Sequence, residues 1–562
     1  MSLFDEILKA RGLTGKVREA FLNPDYETRH DPFLLPDMQQ AVDRLVQAHA
    51  RQDKITIYGD YDIDGLTATT VLLDALEQFG FHKVDAFIPN RFVEGYGLTV
   101  DAIERIAAAG AELIITVDCG SLSEKEIIRA NELGVDVIVT DHHNVATVQP
   151  PAIAVINPKR LLADYPDEYE NYIVKENSKM AEKIYPFLDL PGVGVAFKLV
   201  QALQTKLPGL PVGQEKWLLD LVALGTVCDV VNLTNENRTH VFWGLKVLSK
   251  TRRQGLKALM AVAKITPDKV VARSLGFGLG PRMNAAGRLE TAQHSLDLLR
   301  TQNSLDAYAI AEKLDVMNTT RRNEQDKIFV AAKLQAAQFV DDNVLVLSGK
   351  NWSHGIIGIV AAKILETYKK PTYILEEMGN EAKGSARSFG DFSAADGIRF
   401  ADDIITKGGG HKYAAGVTLP ADRIADFRQR VNEYHRTQKL FNQESLLLPQ
   451  EDAQAKLGEA TETLVGQLAT LEPFGNGNPE PVLKTKDLLV MKQRRMGNDA
   501  QHLKLDLRDE SGYTMQFLAF NAPAHFFVEP GQTVSVWYQP TINEWNGTRS
   551  VEGRLLHLVV SE

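Results

Sequence analysis

From about residue 50 to about residue 160 the chain alternates short apolar runs with amphipathic stretches. The runs are KITIYGD, KVDAFIPN, ELIITVDCG, DVIVTDHH and AIAVINP, brief and rich in β-branched residues, so they read as strands. Between them TVDAIERIAAAG and SEKEIIRANELG have helical patterns, each closed by a glycine suited to a helix C-terminus. Strands and helices in alternation predict an α/β domain with a mostly parallel, doubly wound sheet. Three of the runs end in aspartate, at Asp60, Asp118 and Asp141, so three carboxylates should arrive at one edge of that sheet.

Beyond residue 160, DYPDEYENYIVKENSKMAEKIY is polar and aromatic and reads as a surface insertion. GVGVAFKLVQAL and EKWLLDLVALGTVCDVVNL then read as helices leading to Asp229. A charge-rich helical stretch near 290 to 340 reads as a connector, and NVLVLSG, HGIIGIVAAKILETY and PTYILEE open a second α/β domain. After about residue 450 short strands alternate with glycine turns, as a small β-barrel requires. The expected division is an N-terminal segment 1–50, a first domain 51–290, a helical connector 291–340, a second domain 341–445 and a barrel 450–562.

Composition narrows the class without naming it. The chain has 562 residues, 44% hydrophobic and 24% charged, an ordinary balance for several globular domains. No apolar run is long enough to cross a membrane, and MSLFDEILKARGL lacks a signal-peptide layout, so a cytoplasmic location without membrane contact is expected. Cys119 and Cys228 are too few and too far apart for a disulfide framework. The net charge of -11 argues against broad adhesion to polyanions, but local basic grooves or divalent ions still allow a nucleic-acid substrate.

The chemistry starts at YGDYDIDG, where Asp60, Asp62 and Asp64 alternate and then meet a glycine. Carboxylates this close repel one another unless a cation lies among them. A calcium-binding EF-hand loop begins in the same way, but its twelfth position must be Glu and here is Val71. A strand also precedes the motif where that loop needs a helix. With Asp118, Asp141, His142, His143 and Asp229 the set exceeds the needs of one ion. Carboxylates with one or two imidazoles suit manganese or magnesium. Two such ions bridged by an aspartate would activate a water and clamp both oxygens of an in-line displacement, which predicts phosphoester or phosphoanhydride hydrolysis. Asp141 could orient a histidine ring rather than bind metal.

Other stretches suit phosphate. TKGGGHKYAAG offers Gly408, Gly409 and Gly410 for close backbone approach, with His411 and Lys412 beside them. KGSARS carries Ser385 and Arg387, PRMNAAGR carries Arg282, Asn284 and Arg288, and PNRFVEGYG carries Arg91. In the barrel, KTKDLLVMKQRRMGNDAQHLK is basic, and Phe517, Phe520, Trp537, Tyr538 and Trp545 lie in or near strands, one or two of them available to stack on bases.

Together GDYDIDG, VDCG, TDHH, GVGVAFKL, GTVCDVVNLTNENR, PRMNAAGR, GIIGIVAAK, GGGHKYAAG and PFGNGNPEP resemble the DHH phosphoesterase family, closely its RecJ branch of single-strand-specific 5′ to 3′ exonucleases. The resemblance covers nearly the full length. It implies a DHH domain, a DHH-associated domain and an OB-fold, and two ions, manganese before magnesium, held by Asp60, Asp62, Asp64, Asp118, His142 and Asp229. It further implies that His143 contacts the phosphate, that Gly408, Gly409, Gly410 and His411 hold the strand, and that arginines and hydroxyls of the second domain take the 5′-terminal phosphate. A cleft too narrow for a duplex would follow, with single-stranded DNA as substrate, a monomeric enzyme in repair and recombination, and single-strand-binding protein and a helicase as partners. Two departures stand out: a longer segment at 164–189, and Asn232 where the family often has proline. Two rivals share the acidic motifs. An oligoribonuclease or cyclic-dinucleotide phosphodiesterase of the same family would usually lack the barrel, and a non-catalytic replication scaffold would have lost ligands that are all present here.

Overall fold

Strands β1 (Ile55–Gly59), β2 (Val84–Phe87), β3 (Leu113–Val117), β4 (Asp136–Thr140) and β5 (Ala154–Ile156) pair in the order β2-β1-β3-β4-β5, all parallel. The computed structural model describes residues 2–95, 97–164, 184–438, 446–497, 500–545 and 547–561. Most of the insertion expected at 164–189 therefore lies outside the described residues. Side chains alternate across the sheet. Ile55, Ile57, Leu113, Ile115 and Ile138 pack with the helices Met38–Arg51, Ile63–Gln78 and Gly192–Leu203. Tyr58, Ile114, Val137 and Val139 pack with Val100–Ala108 and Glu124–Glu132 on the other face. Burial on both faces is why these strands are continuous apolar runs. The chain moves outward from β1 to β2 and then returns to place β3 on β1's other side, so a crevice opens where β1 and β3 end.

The second sheet has β6 (Leu345–Lys350), β7 (Thr372–Met378), β8 (Glu381–Arg387), β9 (Lys407–Gly410) and β10 (Ala414–Pro420), ordered β6-β7-β8-β10-β9. Only β6 and β7 run parallel. The expected connector is two helices, Gln293–Arg300 and Ser304–Ala336, because Asn303 turns its side chain onto the N–H groups of Leu305 and Asp306 and starts the second. That second helix carries Ala307, Ala311 and Leu314 into the first core and Ile328, Ala332 and Ala336 into the second, so one rod fixes both sheets. A π-helical segment, Leu275–Leu279, precedes the helix Gly280–Leu289.

The third sheet comprises β11 (Ala453–Gln454), β12 (Leu483–Met496), β13 (His502–Arg508), β14 (Thr514–Ala519), β15 (Thr533–Trp545) and β16 (Thr548–Val560). A β12–β15 pairing closes five of these strands into a barrel. Phe517 and Tyr538 are core residues, Trp537 is half-buried under the Lys484 ammonium, and Phe520 is exposed; the Trp545 side chain lies outside the described residues.

The N-terminal segment is shared between distant partners. The helix Leu3–Ala10 puts Phe4, Ile7 and Leu8 into the barrel core, and the Arg11 guanidinium forks onto Asp452 at 2.6 and 3.0 Å. Arg238, on the helix Asn235–Leu248 of the first domain, donates to the carbonyls of Phe21, Leu471 and Glu472 at 2.9–3.1 Å and so ties three parts of the chain. Among the described residues no helix is long and apolar enough to cross a membrane. Since Ile7 is fully buried in the barrel core, Ile7→Ala should destabilise the barrel by about 2–4 kcal/mol, read as earlier denaturation of the barrel tryptophan signal with the first domain unaffected.

Candidate metal centre and cleft

Each strand end delivers its carboxylate differently. Asp60 follows β1 and is buried. Asp62 caps the helix Ile63–Gln78, its Oδ1 accepting from Asp64 N at 2.9 Å and Gly65 N at 3.2 Å. The glycine that ends the motif is there because a Cβ on Gly65 would lie 2.5 Å from the Asp60 carbonyl. Asp64 accepts from Gly192 N and Val193 N, at 2.5 and 2.9 Å, at the N-terminus of the next buried helix. Gly192 permits this approach, since its Cβ would meet Asp118 at 2.7 Å. Asp118 follows β3 in the left-handed region, with φ of 62°, and donates its N–H to Thr140 O. Asp229 terminates the helix Leu219–Cys228.

These groups meet at His142. Its Nε2 lies 3.1 Å from Asp118 Oδ1, 3.6 Å from Asp229 Oδ2 and 3.8 Å from Asp64 Oδ2. Donor atoms of Asp64, His142 and Asp229 lie within 4.8 Å of one another, as do those of Asp60, Asp62 and Asp118. Asp118 joins His142 and His143 in a further such group, so one carboxylate stands between two clusters. Asp141 has a different role. Its Oδ1 accepts from the N–H groups of His142 and His143 and lies 2.9 Å from His143 Nδ1, while its Oδ2 accepts from Ser121 N. With its oxygens occupied in this way, Asp141 shapes the loop and aims the His143 ring. Asn157 strengthens that loop by donating to His143 O at 2.9 Å.

The electrostatics are those of a site short of positive charge. Burial, followed by the charge of neighbouring aspartates, raises the pKa of Asp60 to about 8, Asp64 to about 7 and Asp229 to about 9, and that of Asp118 well above the usual range. Burial lowers His142 to about 3, so its ring is neutral and its nitrogen lone pair is free to ligate. Asp60 Oδ1, Asp118 Oδ1, His142 Nε2 and Asp229 Oδ2 are buried without a hydrogen-bond partner among the described residues. Unpartnered buried acceptors aimed at one another are costly unless a cation lies between them. Carboxylates with a single imidazole and no thiolate fit manganese or magnesium.

The cleft side holds most of the expected phosphate contacts. Asn144, beside the His142–His143 pair, reaches His411 of the second domain at 3.2 Å. Gly408, Gly409 and Gly410 form the exposed edge strand β9 and leave one side of its backbone unpaired in the sheet, rather than making a loop. Arg387 donates to Ser385 Oγ at 3.3 Å, Arg91 stacks over Tyr61 at 4.3 Å, and Arg288 donates to Gly355 O. Burial and the nearby charges of Arg91, Arg321 and Arg387 depress Arg288 to about 10, which marks a convergence of guanidinium groups. Arg282 pairs with Asp315 at 2.8 Å and, with Asn284, lines a cavity of about 900 Å³ where the first domain, the connector, the second domain and the barrel meet. Arg321 is a lining residue that sequence reasoning missed; Asn318 and Gln325 hold it at 2.7 Å each. A polar stripe along one face of an otherwise ordinary helix was its only signal.

The chain matches family models over most of its length: the DHH family N-terminal domain at 54–226, the DHHA1 domain at 341–437 and the RecJ OB domain at 451–557. The single-stranded-DNA-specific exonuclease RecJ of Bacillus subtilis is 35% identical over all of this chain and 68% of its own. That of Escherichia coli is 34% identical over 92% of this chain and 89% of its own. The chain belongs to the RecJ family. The crystal structure of RecJ from Thermus thermophilus in complex with Mn2+ covers all of this chain and matches over 78% of its own, with a TM-score of 0.80 at 28% identity. The Mg2+ complex of the same RecJ superposes with a TM-score of 0.74. The RecJ fold of this chain, two α/β domains and an OB barrel, follows from both comparisons.

Because the folded pKa values of Asp60, Asp64 and Asp229 exceed the unfolded value of about 3.9, the metal-free fold binds more protons than the unfolded chain and loses stability as pH rises towards 9. In EDTA at pH 8, Asp60→Asn should therefore raise the melting temperature by about 2–4 °C, and the gain should vanish near pH 4. A thermal-shift series over that range checks it.

Proposed function

We propose that this protein is a single-strand-specific 5′ to 3′ exodeoxyribonuclease that releases 5′-mononucleotides. The observation that carries the reading is the pair of buried, unpartnered oxygens of Asp118 and Asp229 beside His142 Nε2, with the bare Asp60 oxygen in the adjoining cluster, next to a cleft where arginines from two domains converge. Asp60, Asp62, Asp64, Asp118, His142 and Asp229 would hold the two divalent ions, which when bound supply an activated water and neutralise charge on the phosphate. His143, aimed by Asp141, is the group poised to donate to a phosphate oxygen, and Asp141 raises its pKa against the effect of burial. Arg91, Arg288, Ser385 and Arg387 would bind the terminal phosphate, with Arg282 and Asn284 further along the strand. The free edge of β9 offers backbone N–H groups to successive phosphates, and His411 with Asn144 bridges the cleft there.

The barrel favours a long strand over a dinucleotide, since bases beyond the cleft can stack on exposed Phe520 while the cations of β12 follow the backbone. Relatives named for single-stranded-DNA-specific exonuclease activity support the same substrate. Action as a monomer in the cytoplasm, in DNA repair and recombination, with single-strand-binding protein and a helicase preparing the strand, completes the reading.

On a phosphorylated single strand with Mn2+, mononucleotides should appear from the 5′ end, and little product should form from duplex or RNA. Asp118→Ala should lower kcat by at least about 10²-fold; equal activity would end the enzymatic reading. Arg387→Ala should raise KM about tenfold on 5′-phosphorylated strands, by loss of a charge-assisted contact, and leave KM on 5′-hydroxyl strands unchanged. Comparing the two substrates tests the terminal-phosphate pocket.

A further inference from the structure

Two antiparallel helices deliver ligands to the centre from opposite directions of the chain. The helix Ile63–Gln78 starts there, with Asp62 and Asp64, and the helix Leu219–Cys228 ends there, at Asp229. They pack so closely that a Cβ on Gly225 would lie 2.4 Å from Thr67 Oγ1 and 2.9 Å from Asp64 Oδ1. At their far ends stand Asp74 and Asp220. Asp74 is about 15 Å along its helix from Asp64, and Asp220 about 13 Å along its own from Asp229.

One side chain joins those far ends. Arg253 donates through Nη1 to Asp74 Oδ2 at 2.5 Å and through Nε to Asp220 Oδ1 at 3.3 Å, with only 15% of its side chain exposed. The remaining oxygens are also occupied: Thr251 Oγ1 donates to Asp220 Oδ2 at 2.6 Å, and Arg300 donates to Asp74 Oδ1. Arg253 and Thr251 both lie just before the helix Gln254–Val262 and touch none of the proposed metal ligands. The pair of helices thus brings carboxyl groups together at the metal end and is joined by a guanidinium fork at the other.

We infer that Arg253 is a positioning residue for the metal centre, fixing the axial register of the two helices so that Asp229 meets Asp64 and His142. The magnitudes make register decisive. A slip of one residue moves a helix by about 1.5 Å, whereas metal–ligand distances tolerate only about 0.2 Å. A lysine supplies the charge without the planar fork and reaches one carboxylate at a time. This assignment rests on the metal reading above.

The test uses the full chain stripped with EDTA, titrated with Mn2+ and followed by the electron paramagnetic resonance signal of free Mn2+, at a temperature where circular dichroism shows wild type and variants folded. Arg253→Lys and Arg253→Gln should each weaken Mn2+ binding about tenfold or more, since a shifted helix carries its carboxylate beyond the tolerated metal–ligand distance. Activity should recover largely when Mn2+ is raised. Asp220→Asn, which removes the charge from one arm of the fork, should weaken binding in the same direction and decides the matter if the Arg253 variants do not fold. A stabilising contact without a positioning role lowers the melting temperature and leaves Mn2+ affinity alone. Folded variants within twofold of wild type in Mn2+ affinity would therefore overturn the role of Arg253 alone. A wild type that takes up no Mn2+ would overturn the metal reading itself.

Discussion

Mutual repulsion among buried carboxylates is the constraint around which the first domain is arranged. Asp60, Asp64 and Asp118 are buried and half-buried Asp229 lies beside them, a placement that is costly for charged carboxylates unless a cation or a proton neutralises them. The surrounding fold supplies enough binding energy to keep them there. The Ile63–Gln78 and Gly192–Leu203 helices are buried almost throughout, and their N-terminal N–H groups offset part of the charge on Asp62 and Asp64. Glycines at 65 and 192 let the backbone come within reach of the acids. Stability is given up locally so that binding energy is available for ions.

The rest of the molecule frames that site. The connector helix packs into both α/β cores, and Asn144, beside the His142–His143 pair, meets His411 next to the β9 edge. The barrel is fastened to parts of the chain remote from its own sequence, among them the Leu3–Ala10 helix and Arg238. A barrel held in this way sits against the arginine-lined cavity and contributes Glu480 and Arg554 to its wall.

Much of the fold was legible in the chain because strand and helix periods differ so plainly, and because Asp60 and Asp118 sit where apolar runs stop. The doubly wound sheet and the barrel follow from that alone. The break at 301–303 and the π-helical turn before Gly280 were not legible, since both depend on local hydrogen bonds that leave the apolar pattern unchanged. The cluster around His142 was anticipated in composition but not in its division of labour. Asp60 and Asp141 read alike as acids at strand ends, yet Asp60 keeps a bare oxygen whereas Asp141 spends its oxygens on N–H groups of its own loop and on Ser121.

The sequence by itself determined which side chains are available to hold ions and phosphate and which elements carry them, because residue type and periodicity are local properties. Only the tertiary structure decided that Arg321 faces the cavity, that the first helix completes the last domain, and that Arg253 ties two helix ends together. Those facts depend on contacts between residues tens to hundreds of positions apart, and a pattern read along one chain holds no record of such distances.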